Sequence, residues 1–265
     1  MISNMLQNLS GSSSSLIYKN SSESLAGRIT FIDVFPLTLR EFIQFNGIEI
    51  QEAGLDFHII EKLYFDLSSK SNEIMGFLMQ YLNIGGFPEW FDVKNEETWF
   101  KILAEEYTSL LIYRDIVRIY RIRDPLLLES VFKFVSAHSS ERFSYLGIAK
   151  QNDGDKETSK QYIFYLARSH LINVSDFYTK SKKASEKKEK KNETDIIMSC
   201  GSLLIPIEVK YRSYIDDSDL KGILSFCQEF SVRNAYVVTK TLIEEREIDG
   251  IRFSFIPLWL FLLVF

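Results

Sequence analysis

Seven lysines crowd between Lys180 and Lys191, at positions 180, 182, 183, 187, 188, 190 and 191, against only Glu186 and Glu189. A run carrying +5 cannot bury itself, so it reads as a solvated linker with separately folded chain on either side. The 265 residues total −5, which leaves −10 for the rest of the sequence. Composition is compatible with sizeable cores. The chain is 46% apolar and 25% charged, and its 12 glycines and 5 prolines are too few for a many-turned β-sandwich. Its two cysteines, Cys200 and Cys227, can build neither a structural zinc site nor a disulfide framework.

Nothing in the sequence directs the chain to a membrane. Met1 to Leu9 has neither a basic start nor an apolar run of signal-peptide length. The apolar stretch Ile256 to Phe265 falls well short of the roughly 20 residues that cross a bilayer, and reads as a strand end followed by a buried helix. A cytoplasmic protein is expected.

The two sides of the linker follow different grammars. Upstream, Leu39, Phe42, Ile43 and Phe45 after Pro36, and Tyr107, Leu110, Leu111, Ile112 and Val117, recur at spacings that fit helix faces, and Ile29 to Val34 alternates like a short strand. Downstream, strands are predicted at Ile196 to Met198, Leu203 to Val209, Ala235 to Val238 and Arg252 to Ile256, with a helix over Asp217 to Phe230.

Between Leu126 and Tyr178 the pattern predicts three helices and a wing. Leu127, Leu128, Val131, Phe132 and Val135 mark the first, Phe143 to Lys150 the second, and Lys156 to His170 the third, with Ile163, Leu166, Ala167 and Leu171 inward. Ser159, Lys160 and Arg168 are expected to face out. Hydroxyl and cationic groups on the last helix of such a fold suit phosphates and base edges, and Lys182 and Lys183 follow as further phosphate contacts. A helical spacer that docks protein instead has the same pattern.

The sharpest constellation is Asp195, Glu208 and Lys210. A hairpin turning at Gly201-Ser202 pairs residues whose numbers add to 403, so Asp195 and Glu208 would stand opposite each other, with Lys210 on the same face. Two carboxylates about 5 Å apart repel unless a positive charge joins them, and a hard cation such as Mg²⁺ suits the purpose. Asp195 and Glu208 as metal ligands with Lys210 beside them outline nuclease chemistry; cross-strand ion pairs on a sheet face are the alternative. His58, His138 and His170 show no metal-ligand spacing, and no catalytic serine or cysteine motif occurs. The sequence also contains no Gly-x-x-x-x-Gly-Lys-Ser/Thr phosphate loop, so ATP hydrolysis by this polypeptide alone is not expected.

Several motifs in order resemble a known family, the archaeal AAA-type ATPases with a C-terminal domain of unknown function. They are Gly11-Ser-Ser-Ser-Ser15, Leu25-Ala-Gly-Arg28 with Phe35-Pro-Leu-Thr-Leu-Arg-Glu-Phe42, Gly85-Gly-Phe-Pro-Glu89, Tyr113-Arg-Asp-Ile116, and Asp195 with Ile207-Glu-Val-Lys210. The resemblance implies a mixed α/β, multi-domain chain. Residues 1–45 would be an ATPase-core remnant, 46–125 a helical lid, 126–178 a winged helix-turn-helix, 179–193 a Lys-rich linker, and 194–265 a partial restriction-endonuclease-like, PD-(D/E)XK-like α/β domain. It also implies ATP as the family's nucleotide, with Ser12, Ser13 and Arg28 as sensing residues, and Mg²⁺ at the carboxylates. In the family, nucleotide-binding motifs precede the Gly-Ser-Ser segment, and a strand and an acidic helix stand where the lysine run lies here. The expectation is therefore a truncated, non-catalytic family member that binds DNA or a partner. A metal-dependent nuclease and a regulatory or dimerising subunit of an intact homologous ATPase are the alternatives.

Overall fold

The computed structural model describes residues 32, 34–175, 194–201 and 203–265. Two helices with side-chain caps open the described chain. In α1 (Leu39–Phe45) a capping box closes the first turn: Thr38 Oγ1 accepts from the Glu41 amide, and the Glu41 carboxylate accepts from the Thr38 amide at 2.8 Å. Asp56 caps α2 (Phe57–Leu67) by accepting from the His58 amide. α3 (Ser71–Ile84) stops at Gly85, whose φ of +78° favours glycine.

Residues 96–120 form one helical run, α-helical at Glu96–Ile102 and Val117–Tyr120 and π-helical at Leu103–Ser109 and Leu111–Ile116. Three helices follow: α4 (Pro125–Ala137), α5 (Tyr145–Gln151) and α6 (Lys156–Arg168), each starting on a side-chain cap from Asp124, Ser144 or Asp155. The C-terminal segment is α/β, with β1 (Ile196–Cys200), β2 (Leu203–Lys210), α7 (Lys221–Phe230), β3 (Asn234–Thr239), β4 (Glu244–Ile248), β5 (Ile251–Pro257) and α8 (Leu258–Val264).

These elements form two compact units, and the division does not follow the chain. One unit holds Phe35 and residues 90–175; the expected Lys-rich linker lies outside the described residues. Its core gathers Ile112, Ile116, Leu128, Val131, Ile148, Tyr162, Ile163 and Leu166, so α4, α5 and α6 close on the end of the long helical run. The other unit joins Pro36–Glu89 to the C-terminal sheet. The region 46–125, expected to be one lid, is thus shared between both units. The cause is apolar area: one sheet face presents Ile205, Ile207, Tyr236, Val238 and Ile256, and α8 with Leu39, Ile43, Ile60, Leu63, Ile74 and Leu78 of α1 to α3 covers it.

The sheet order is β1-β2-β3-β5-β4, with β1-β2 and β4-β5 antiparallel and β2-β3 and β3-β5 parallel. The parallel β2-β3 pair is joined through α7, a βαβ crossover. On the second face Ala235, Val237, Phe253 and Phe255 pack against Ile223 and Cys227 of α7. Strands over 196–198, 203–209, 235–238 and 252–256 and the helix to Phe230 agree with the sequence reading to within a few residues. β4 escaped it, because Glu-Glu-Arg-Glu-Ile carries almost no apolar signal. Of the strand expected at Ile29 to Val34, only Ile32 and Val34 are described, and neither is in a strand. No strand forms a wing among the described residues after α6.

Candidate functional site

Hairpin register decides which side chains meet at the end of β1 and β2. Ile196 pairs with Ile207 and Cys200 with Leu203, the register that adds to 403, and Gly201 turns the chain with φ of +60°. Asp195 therefore lies beside Glu208. The Asp195 amide donates to Glu208 Oε2 at 3.4 Å, and Asp195 Oδ2 accepts from the Val209 amide at 2.8 Å. Lys210 Nζ donates to Glu208 Oε1 at 2.5 Å, so all three predicted residues come together.

The two carboxylates sit in different surroundings. Asp195 is exposed, whereas Glu208 is only 6% exposed. β2 alternates its faces, and Glu208 pairs with Val237, which belongs to the cluster packed on α7. Burial pushes the Glu208 carboxyl above its ordinary range, the Lys210 hydrogen bond pulls against that, and the Asp195 charge adds to the rise. Two carboxylates thus lie beside a single ammonium, which bonds to the buried one.

The donor set suits a hard divalent ion, since Mg²⁺ commonly takes one or two protein carboxylates and completes its shell with water and phosphate oxygens. Among the described residues no group of three or more His, Cys, Asp or Glu side chains is placed to hold a metal. Cys227 offers no nucleophile: it is buried in the α7 cluster, and its thiol is pushed up to about 11 by burial.

The other predicted site residues divide. Lys160 and Arg168 are exposed on α6, as expected. Ser159 is corrected: it is 1% exposed and faces the core, because it stands one helical turn before Tyr162 and Ile163 on the buried stripe. Ser12, Ser13, Arg28, Lys182 and Lys183 lie outside the described residues. Periodicity also passed over Tyr162, which is buried with its hydroxyl donating to the Asp124 carbonyl at 3.3 Å.

Two of the sequence motifs have a structural setting among the described residues. The Leu37 amide donates to the Gly86 carbonyl at 2.6 Å, and the Tyr81 hydroxyl to the Leu37 carbonyl at 2.8 Å. A Cβ on Gly86 would lie 2.1 Å from the Leu37 carbonyl oxygen, so the close approach of the Pro36-Leu37 and Gly85-Gly86 segments requires glycine. Asp115 of the Tyr113-to-Ile116 motif is 7% exposed and takes two hydrogen bonds from the neighbouring Arg114 guanidinium.

The C-terminal unit is thus a mixed α/β sheet that carries a carboxylate-carboxylate-lysine cluster at the end of a hairpin leading into a βαβ crossover. Residues 75–198 match a domain of unknown function (DUF8612) and residues 169–261 match a second domain of unknown function (DUF4143), which is found in AAA-ATPase-like proteins. The chain is also similar to Uncharacterized protein MJ1544 of Methanocaldococcus jannaschii, 30% identical over 116 residues, which span 44% of this chain and 23% of the relative. No solved structure matches the chain. No helix among the described residues is long and apolar enough to cross a membrane.

Proposed function

We propose that the chain is a nucleic-acid-directed region of an AAA-ATPase-like protein, whose C-terminal sheet is a PD-(D/E)XK-like unit acting on phosphodiesters at Asp195, Glu208 and Lys210. The observation that carries this reading is the meeting of Asp195 and Glu208 across the hairpin with Lys210 Nζ 2.5 Å from the Glu208 carboxylate. Topology supports it as well: the hairpin enters the sheet beside a parallel strand reached through a helix.

Asp195 and Glu208 would hold a divalent cation, which when bound polarises a phosphodiester and acidifies water. Lys210 keeps a positive charge on the same face, where an ammonium stabilises the negative charge that accumulates on phosphate oxygens. Burial of Glu208 keeps water off that carboxylate and strengthens its interaction with Lys210. Nicking of supercoiled plasmid by the purified chain with Mg²⁺ or Mn²⁺ tests this. Cleavage lost in both Glu208→Gln and Lys210→Met is the expected result; variants that cut as well as the parent would remove these residues from catalysis.

A second reading, binding without cleavage, is favoured by the Lys210-Glu208 ion pair itself, which already neutralises the buried carboxylate. Under that reading the chain binds DNA or a homologous ATPase subunit and neither nicks DNA nor turns over ATP. Plasmid nicking that stays absent while DNA retention or co-elution with such a subunit persists would select it.

A further inference from the structure

The outward side of α6 repeats every fourth residue: Lys156, Lys160, Phe164 and Arg168 are all exposed. Side chains four apart stack along one helix face, each step rising about 6 Å, so a phenylalanine stands between cations in a single stripe. Phe164 is 57% exposed. Glu157 is the only acidic residue in the helix. Behind the stripe, Tyr165 stacks on Tyr120 with centroids 3.9 Å apart, which fixes the helix that carries Phe164. Beyond Arg168, Phe35 is 65% exposed and meets the His170 ring edge to face at 5.6 Å, a second aromatic group at the same helix end.

We propose that this stripe binds single-stranded nucleic acid, with Phe164 stacking on an unpaired base and Lys156, Lys160 and Arg168 meeting the phosphates. The inference takes its ligand class from the nucleic-acid reading above and is independent of the hairpin cluster. Charge complementarity selects a polyanion. The aromatic ring selects among polyanions: a duplex keeps its base faces stacked and an acidic peptide has none, whereas a single strand presents a π-face at every nucleotide.

Fluorescence anisotropy of the full chain with labelled oligo-dT, and with duplex of equal length, tests the proposal in EDTA, where no metal-dependent cleavage interferes. The single strand should bind roughly tenfold or more tightly than the duplex, and Phe164→Ala should weaken it about 5- to 100-fold, the range for loss of one stacked base. Phe164→Trp should restore binding, with its indole emission quenched by the strand. Lys160→Ala and Arg168→Ala should each reduce the slope of log affinity against log salt by about 0.7. Equal or tighter duplex binding, or Phe164→Ala binding like the parent with unchanged circular dichroism, would overturn the proposal. Either result leaves the plasmid-nicking test of Glu208 and Lys210 untouched, so the two readings fail separately.

Discussion

At the residue scale the hairpin cluster couples charge to stability. Burial holds the Glu208 carboxyl above its ordinary pKa, so the folded chain binds that proton more tightly than the unfolded one does. The Glu208 contribution is therefore most favourable at acid pH and declines as pH rises through the folded pKa. Lys210→Met removes the opposing cation and should destabilise the unit by about 2–3 kcal/mol near pH 8, just below the range for breaking a fully buried pair because Lys210 is a quarter exposed. Thermal denaturation should show much of that loss recovered as the pH falls through the raised Glu208 pKa, and Glu208→Gln/Lys210→Met should show no such recovery. A loss independent of pH would contradict the coupling. Gly86 provides a steric counterpart. With 2.1 Å between its would-be Cβ and the Leu37 carbonyl oxygen, Gly86→Ala should cost roughly 2 kcal/mol or more in urea unfolding, because a backbone atom cannot rotate away as a side chain can.

Helices and strands add their own tests. Leu260 of α8 is fully buried in the cluster that α1 to α3 share with the sheet, so Leu260→Ala should destabilise by about 2–5 kcal/mol, as deleted core methyls do. Thr38→Ala removes the hydroxyl half of the capping box on α1, leaving the backbone amide of residue 38 to donate to Glu41, and should cost about 1 kcal/mol, read by the same denaturation. Sequence showed these elements unevenly. The hairpin was legible to its register, since a glycine able to take positive φ fixed the turn and alternation fixed the faces of Asp195, Glu208 and Lys210. Helices α4 to α6 were legible from apolar spacing to within a few residues. β4 was not, because Glu244, Glu245 and Glu247 hide an edge strand whose pairing to β5 comes from the backbone. Ser159 was misplaced because a small polar residue on a helix reads as exposed unless its angle to the core is known.

For the whole molecule, the unexpected feature is a unit assembled from distant segments. Tyr236 donates to the Leu55 carbonyl at 2.9 Å, and Arg40 donates to the Leu263 carbonyl at 2.7 Å at the end of α8, contacts that tie residues 36–89 to the C-terminal sheet. A fragment of residues 194–265 alone would expose the sheet face that α1 to α3 cover. It should aggregate or lack a cooperative unfolding transition, and co-expression with residues 36–89 should restore one. A soluble, cooperatively folding fragment would show that the sheet needs no such cover.

Local chemistry thus fixed the hairpin, the elements after it except β4, and the three residues of the hairpin cluster, because turn geometry and side-chain alternation act over a few residues. Tertiary structure decided which helices cover the sheet, how deeply Glu208 is desolvated and which way Ser159 turns. Each of these depends on apolar faces far apart in the chain finding one another, and burial has no local signature to announce its partner.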